Sequence, residues 1–178
     1  MMLRSGAWFD FLDPAGSSFE IEDIAYGLSH TCRYAGQCSA FYSVAEHSLL
    51  VSDTLRDHAF LGLMHDAAEA FIGDITRPLK QLLPDYKRIE ASVEAAIAHR
   101  FDLPMPMPAE VKQADLRVLA AEQAQIMPPG TSQWAREDGI IPAPVTVKHM
   151  TPEVARAAFL DRFHELRPPA YRRSMRVA

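Results

Sequence analysis

Histidines and carboxylates recur at short intervals in the first two thirds of the chain, and their types are those of metal ligands. They are, in chain order, His47, His65, Asp66, Glu69, Asp74 and Asp115. Imidazole and carboxylate together suit a divalent cation of intermediate hardness. None of the six is a cysteine, which argues against a closed structural zinc site. The pattern predicts a site for one divalent ion, with Mn, Co, Ni, Fe, Zn and Mg as the candidates.

Hydrophobic periodicity predicts that a helix carries His47. The apolar residues at helical spacing around it are Val44, Val51 and Leu55. His47 is in register with them and is expected to point inward. The next helix has its own apolar stripe, formed by Leu61, Met64, Ala68 and Phe71. His65, Asp66 and Glu69 span about 100° of arc beside that stripe, so the three polar groups should converge on one flank.

Two further helices are predicted downstream. The third follows Pro84, with inward positions at Tyr86, Ile89, Val93 and Ile97. The segment MPMP at 105–108 interrupts the chain before the fourth helix, where the apolar positions are Val111, Ala114, Val118 and Ala121. Asp115 falls among these apolar residues. Because an isolated buried carboxylate is costly, we expect Asp115 to have a cation or another partner.

Other segments predict turns, loops and a last helix. The runs 8–12 and 18–21 flank the turn-like sequence DPAGS and predict a short N-terminal β-hairpin, with the helical part beginning at 24–28. The Pro- and Gly-rich stretch 128–147 predicts a long loop, either a lid or a surface wrap. Thr151-Pro152 predicts an N-cap and a first-turn proline for a helix through residue 166.

Composition is typical of an ordinary soluble enzyme of one domain and leaves small anionic substrates open. The 178 residues are 48% hydrophobic, enough for one compact domain over 1–178. A formal charge of −5 argues against extended nucleic acid as a partner. Local positive charge near the metal segment comes from Arg33, Arg77, Lys80, Lys87 and Arg88. The sequence has neither a membrane-length apolar run nor a signal peptide, so we expect a cytoplasmic protein without a membrane partner.

Each candidate ligand also has a structural interpretation. A single histidine on an apolar stripe is more often a hydrogen-bonded core residue, and Asp115 alone could cap a helix or pair with an arginine. The joint occurrence of the six residues on elements of the expected type favours a metal site. Cys32 and Cys38 are expected to remain thiols, and their spacing from His30 matches no zinc module. The other histidines are interpreted as surface or structural residues: His58, His99, His149 and His164.

The ordered strings of this region resemble those of a known enzyme family. The order and spacing of six motifs are similar to those of the bacterial HD nucleotidases. The motifs are RYAG at 33–36, VAEHS, MHDAAEAFIGDI with RPLK, PDYKRIE and VKQADLRVLAAE. That family includes the 5′-deoxynucleotidases and small prophage-type nucleotide hydrolases, and its name comes from the adjacent pair that here is His65-Asp66. The resemblance covers about residues 33–122. It implies an all-α HD-domain bundle of five or more helices around the metal.

The resemblance also implies roles for individual residues. The four metal ligands would be His47, His65, Asp66 and Asp115. Glu69 would act on the attacking water, Asp74 would lie behind the ligands or orient the substrate, and Arg33 would contact the phosphate. The other substrate-binding candidates are Tyr34, which can pack on a sugar, and Arg77, Lys80 and Lys87, which add positive charge.

The implied function is metal-dependent hydrolysis of a (deoxy)nucleoside 5′-monophosphate to nucleoside and phosphate. Tyr34 stands where the deoxynucleotidases have a tryptophan that helps exclude a ribose 2′-hydroxyl, so sugar selectivity is open. The connection from His47 to His65 is shorter than theirs and agrees with the prophage-type branch and with phage HD enzymes that remove triphosphate from dATP. Two alternatives are a dNTP triphosphohydrolase and a nucleotide-sensing HD module without turnover. Whether the protein forms a homodimer stays open.

Overall fold

The computed structural model describes residues 1–167, and the chain in that range consists of helices joined by turns and loops. The α-helices are α1 (Ile21–His30), α2 (Val44–Asp53), α3 (Ala59–Met64), α4 (Glu69–Ile72), α5 (Arg77–Lys80), α6 (Pro84–Phe101), α7 (Ala109–Ile126), α8 (Gln133–Glu137) and α9 (Pro152–Leu166). A 3-10 turn, Arg33–Gly36, lies between α1 and α2. The β pairing in this range is limited to isolated antiparallel bridges, Met2 with Trp8 and Cys32 with Ser43. The all-α prediction is confirmed.

The starts of the long helices follow from local capping chemistry. Ser43 caps α2, because its hydroxyl accepts an amide N–H of the first turn, and Thr151 caps α9 in the same way. Pro152 is the first residue of α9, and Pro84 is the first residue of α6. Helix α7 begins directly after Pro108. The predicted helices at these positions are confirmed. The last eleven residues of the predicted domain, 168–178, lie outside the described range.

The predicted N-terminal hairpin of segments 8–12 and 18–21 is wrong. The Asp10 amide donates to Ser17 Oγ at 2.8 Å, and the Asp10 carboxylate accepts an amide two residues further along the chain. These side-chain bonds occupy groups that a strand ladder would need, so the segment forms consecutive turns. Helix α1 begins at Ile21, inside the second predicted strand and three residues before the predicted start.

Two apolar clusters form the core, and α2 contributes to both. The larger cluster collects buried residues of α1, α3, α4, α6 and α9. The smaller cluster consists of Tyr42, Leu50, Val51, Ala114, Val118, Ile126, Ala143 and Val147. Val44 and Ala45 belong to the larger cluster, whereas the second half of α2 belongs to the smaller one. His47 is therefore completely buried between the two clusters.

The stretch 128–147 packs along α7, which agrees with the expected surface wrap. It is not entirely a loop, because α8 spans Gln133–Glu137. The Trp134 indole N–H donates to Gln123 Oε1 on α7 at 2.6 Å and anchors this short helix. Further along, the Ala143 amide donates to a carbonyl of α7 at 2.9 Å. None of the helices within residues 1–167 is long and apolar enough to cross a membrane.

Candidate metal centre

The side chains of the four predicted ligands converge, although they come from three separate parts of the chain. His47 lies on α2 and Asp115 lies on α7, as predicted. The single helix predicted over 61–71 is wrong, because α3 ends at Met64 and His65 and Asp66 lie in the turn before α4. His47 Nε2 is 3.3 Å from Asp115 Oδ1 and 3.5 Å from Asp66 Oδ2. His65 Nε2 is 3.1 Å from Asp66 Oδ2 and 4.0 Å from Asp115 Oδ1. The group formed by His47, His65 and Asp115 can hold a metal ion.

Hydrogen bonds on the far side of each ring orient the two histidines. His47 Nδ1 lies 2.6 Å from Glu122 Oε1, and His65 Nδ1 lies 2.8 Å from the Gly62 carbonyl oxygen. A carbonyl or an ionised carboxylate can only accept, so both Nδ1 atoms donate. Both Nε2 atoms are buried beside the carboxylates of Asp66 and Asp115 but make no hydrogen bond of good geometry. Unpartnered buried nitrogens facing two carboxylates, with the opposite ring nitrogen bonded, are the arrangement of metal-binding histidines.

The electrostatics of the group favour a cation. Burial and Arg33 disfavour the charged imidazole, but Glu122 and Asp115 outweigh them and raise the pKa of His47 to about 9. Burial alone would raise the pKa of Asp66, yet His65 and His47 hold it well below its ordinary value. The same effects hold the pKa of Asp115 very low. The two carboxylates are therefore ionised at neutral pH, and a divalent ion would compete with the proton on His47.

The two carboxylate oxygens of Asp115 contact different neighbours. Oδ1 faces His47 Nε2, whereas Oδ2 accepts a hydrogen bond from Lys112 Nζ at 2.6 Å. Lys112 is one turn earlier on α7, and its side chain is mostly exposed. Because Lys112 is mostly exposed, this ion pair lies at the edge of the buried group and contributes little to stability. The expectation that Asp115 has a cation or another partner is confirmed by Lys112 and His47.

Glu69 and Asp74, the predicted catalytic carboxylates, lie near this group. Glu69 is the first residue of α4, and its Oε2 is buried without a hydrogen-bond partner. Burial, Asp66 and Asp74 raise the pKa of Glu69 well above its ordinary value. Burial also raises the pKa of Asp74, an effect that Arg33 opposes. Glu69 is therefore a carboxyl group with a high proton affinity in a protected position.

Arg33 brings a buried positive charge to the same place. Its Nη1 lies 3.7 Å from Asp66 Oδ2, and its Nη2 lies 3.5 Å from Glu122 Oε2. Its Nε is buried without a hydrogen-bond partner, so the guanidinium has donor capacity left. The following residue, Tyr34, has φ 57° and ψ 29°, a left-handed conformation that is uncommon outside glycine. Its hydroxyl donates to Glu122 Oε2 at 2.8 Å.

The other predicted substrate-binding cations differ in exposure. Lys80 is half-buried and forms an ion pair with Glu90 of α6. Burial lowers the pKa of Lys80, but Glu90 and Glu69 more than offset this and raise it. Arg77 and Lys87 are exposed. The contacts of Tyr34, Arg77, Lys80 and Lys87 with a substrate stay predictions.

Glu122 is the site residue that the sequence interpretation missed. It is fully buried, and its carboxylate contacts His47, Tyr34, Arg33 and also the buried hydroxyl of Tyr42. Sequence spacing offered one signal, because seven residues, about two helical turns, separate it from Asp115 and place both on one face of α7. Its bonding partners, however, lie about 75 to 90 residues earlier in the chain.

Comparisons with known proteins found relatives without an assigned activity. The chain is 44% identical over 151 residues to the uncharacterized protein YfdR of Escherichia coli strain K12, a match that covers 82% of the chain and 83% of YfdR. It is 38% identical over 186 aligned positions to the uncharacterized protein RCAP_rcc00048 of Rhodobacter capsulatus, covering 92% of the chain and 93% of that protein. No family model matches the chain. A functional assignment depends on the site geometry.

Proposed function

We propose that this chain, which belongs to the same family as YfdR, is a metal-dependent phosphohydrolase of the HD type that acts on a nucleotide. The observation that carries the proposal is the pair of buried histidine nitrogens, His47 Nε2 and His65 Nε2, that have no hydrogen-bond partner and face two carboxylates. Asp66 and Asp115 would complete the ligand set. A group of this composition suits one divalent ion and leaves room in its coordination for water and a phosphate oxygen.

The proposed chemistry divides between the ion and the surrounding residues. When bound, a divalent ion lowers the pKa of a coordinated water and offsets negative charge on a phosphate. Glu69 lies one turn beyond His65, and its unpartnered oxygen can accept the proton that the attacking water loses. The environment that favours protonation of Glu69 also lets it return this proton to the leaving oxygen. The P–O bond to that oxygen breaks as the bond from water to phosphorus forms.

Arg33 is the candidate phosphate-binding residue. Its guanidinium is buried beside the predicted ligand Asp66, and its unpartnered Nε leaves a donor for a phosphate oxygen. Hydrogen bonds between arginine and phosphate are charge-assisted and directional. Asp74 favours the charged form of Arg33 and would help to orient it. One buried arginine suits one phosphate, which supports a nucleoside monophosphate as the substrate.

The substrate that we propose is a (deoxy)nucleoside 5′-monophosphate, with nucleoside and inorganic phosphate as products. Support for the nucleotide comes from the resemblance of segment 33–122 to the HD nucleotidases. Tyr34 adjoins Arg33 and is the residue that would lie nearest to a sugar. Lys80 is the half-buried lysine among the candidates and would add positive charge.

The direct test is metal reconstitution followed by product analysis. Protein purified without chelator is analysed for metal, supplied with Mn²⁺ or Co²⁺ and incubated with deoxynucleoside monophosphates. We expect one ion per chain and the release of inorganic phosphate. Intact triphosphate released from a dNTP, resolved by ³¹P NMR, would instead identify a triphosphohydrolase. Nucleotide binding that raises the melting temperature without turnover would identify a sensor. A protein that binds none of Mn, Co and Ni would contradict both catalytic functions.

A further inference from the structure

Glu122 joins the candidate metal centre to the segment that carries Arg33. Its Oε1 accepts hydrogen bonds from Tyr42 Oη at 2.5 Å and from His47 Nδ1 at 2.6 Å. Its Oε2 accepts a hydrogen bond from Tyr34 Oη at 2.8 Å and lies 3.5 Å from Arg33 Nη2. The carboxylate is completely buried, so these four groups replace the water that an exposed glutamate would bind.

The charge state of Glu122 fixes the direction of these bonds. Arg33 carries a permanent positive charge 3.5 Å from Oε2, and every group that contacts the carboxylate can donate, so we take the carboxylate as ionised. Burial and Glu122 raise the pKa of both tyrosines, Tyr34 and Tyr42, so both hydroxyls remain protonated donors. An ionised carboxylate has no proton to give, and His47 Nδ1 must therefore donate to it. The bond at Nδ1 reserves Nε2 for a ligand bond and sets the plane of the ring.

We propose that Glu122 is the positioning residue of the metal centre, and that the hydroxyls of Tyr34 and Tyr42 hold its carboxylate where it orients His47. The proposal rests on the proposed metal site and extends it to groups that do not touch the ion. It predicts that removal of a single hydroxyl from Tyr42 weakens metal binding. In proteins generally, loss of a partner behind a metal-binding histidine lowers metal affinity about 10- to 100-fold.

Glu46 provides a matched control for the loss of a buried carboxylate. It is also fully buried, and it is the immediate neighbour of His47 on α2. Its two oxygens accept backbone amides instead, from Lys148 at 2.6 Å and from Met150 at 2.8 Å. Glu46→Gln therefore removes a charge of the same type and burial from α2, the helix that carries His47, without altering a hydrogen bond to a predicted ligand.

The experiment measures Co²⁺ affinity by chelator competition and records the visible spectrum of the protein at saturating Co²⁺. For Glu122→Gln we expect an affinity loss of about 10- to 100-fold and a changed spectrum, since the amide cannot offer acceptors to all of its neighbours. For Tyr42→Phe we expect a loss of about two- to tenfold, the size of one hydrogen bond. Glu46→Gln should keep the wild-type affinity and spectrum even if its melting temperature falls.

The outcomes separate this role from a general effect on folding. Wild-type Co²⁺ affinity and spectrum in Glu122→Gln would overturn the proposal, as would an equal affinity loss in Glu46→Gln. If Glu122→Gln does not fold, Tyr42→Phe decides, because it retains the carboxylate, and unchanged affinity in that variant would overturn the proposal. Wild-type protein that binds Co²⁺ but releases no phosphate would contradict the proposed function and leave the role of Glu122 intact.

Discussion

Asp115→Asn tests the ligand set with the least disturbance of shape. Asp115 Oδ1 lies 3.3 Å from His47 Nε2, and Oδ2 is paired with Lys112. The asparagine side chain retains one oxygen, but the substitution removes one of the two negative charges that face the histidines. We expect metal affinity to fall by at least about a hundredfold, the upper end of the loss seen when only a group behind a ligand is removed.

The expected effect on stability follows from linkage. At a metal concentration of about 100 times the wild-type dissociation constant, binding adds about 2.7 kcal/mol to the free energy of unfolding. At the same concentration a hundredfold weaker variant gains only about 0.4 kcal/mol. For a chain of this length the difference corresponds to a melting-temperature shift that is smaller by about 5 to 9 °C. Comparison within each variant, with and without metal, cancels any effect of the substitution on the metal-free protein.

Thermal melts of wild type, Asp115→Asn and a control variant, each with and without Mn²⁺, measure this quantity. Lys112→Ala is the control, because it removes the exposed ion-pair partner of Asp115 and leaves the carboxylate in place. We expect the control to retain the wild-type metal-induced shift. An equal shift in wild type and Asp115→Asn, with equal metal content by elemental analysis, would refute the assignment of Asp115 as a ligand.

Three further predictions concern catalysis and pH. Glu69→Gln should keep its metal content, measured by elemental analysis. Its phosphate release should slow by about a hundredfold or more, the size of a general-base loss. Loss of the metal would make Glu69 a ligand instead. Arg33→Ala should raise KM for a nucleotide by at least about tenfold or abolish activity, whereas Arg88→Ala, which removes an exposed side chain, should leave KM unchanged. The pKa of Glu122, about 2, lies below its ordinary 4.5, so its stabilising contribution is complete above about pH 4.5 and is lost as the pH falls towards 2. This difference between the two pKa values corresponds to about 3 kcal/mol. In urea unfolding, Glu122→Gln should lose less stability between pH 5 and pH 3 than wild type. Equal losses would contradict this prediction.

The helices that carry His47 and Asp115 could be predicted because their signals are local. The apolar stripe around His47 and the one around Asp115 each repeat at helical spacing within a few turns, and both segments are helical. Capping residues give equally local information, and Thr151-Pro152 marks the start of α9 correctly. Once these helices pack around one core, residues in register with the apolar stripes meet in the interior, which brings His47 and Asp115 together.

Two kinds of feature could not be predicted in this way. They depend on side chains that compete for backbone hydrogen bonds, or on partners far away in the sequence. The residues 8–21 have the composition of a hairpin, but the side chains of Asp10 and Ser17 bond to the backbone and prevent it. Helix α8 is anchored by a bond from Trp134 to α7, which periodicity does not show. Glu122 becomes part of the site only because its hydrogen-bond donors, on segments far away in the sequence, pack against it. The inward direction of the Tyr34 hydroxyl depends on a left-handed backbone that its residue type does not indicate.

Titration of phosphate release against bound metal tests the central claim most directly. Metal-free protein receives increasing amounts of Co²⁺, and the rate of phosphate release from a deoxynucleoside monophosphate is measured at each ratio. The account predicts that the rate rises linearly and stops rising at one ion per chain, and that chelation abolishes it. Full activity without metal, or a protein that binds one ion per chain and releases no phosphate at any ratio, would contradict the claim.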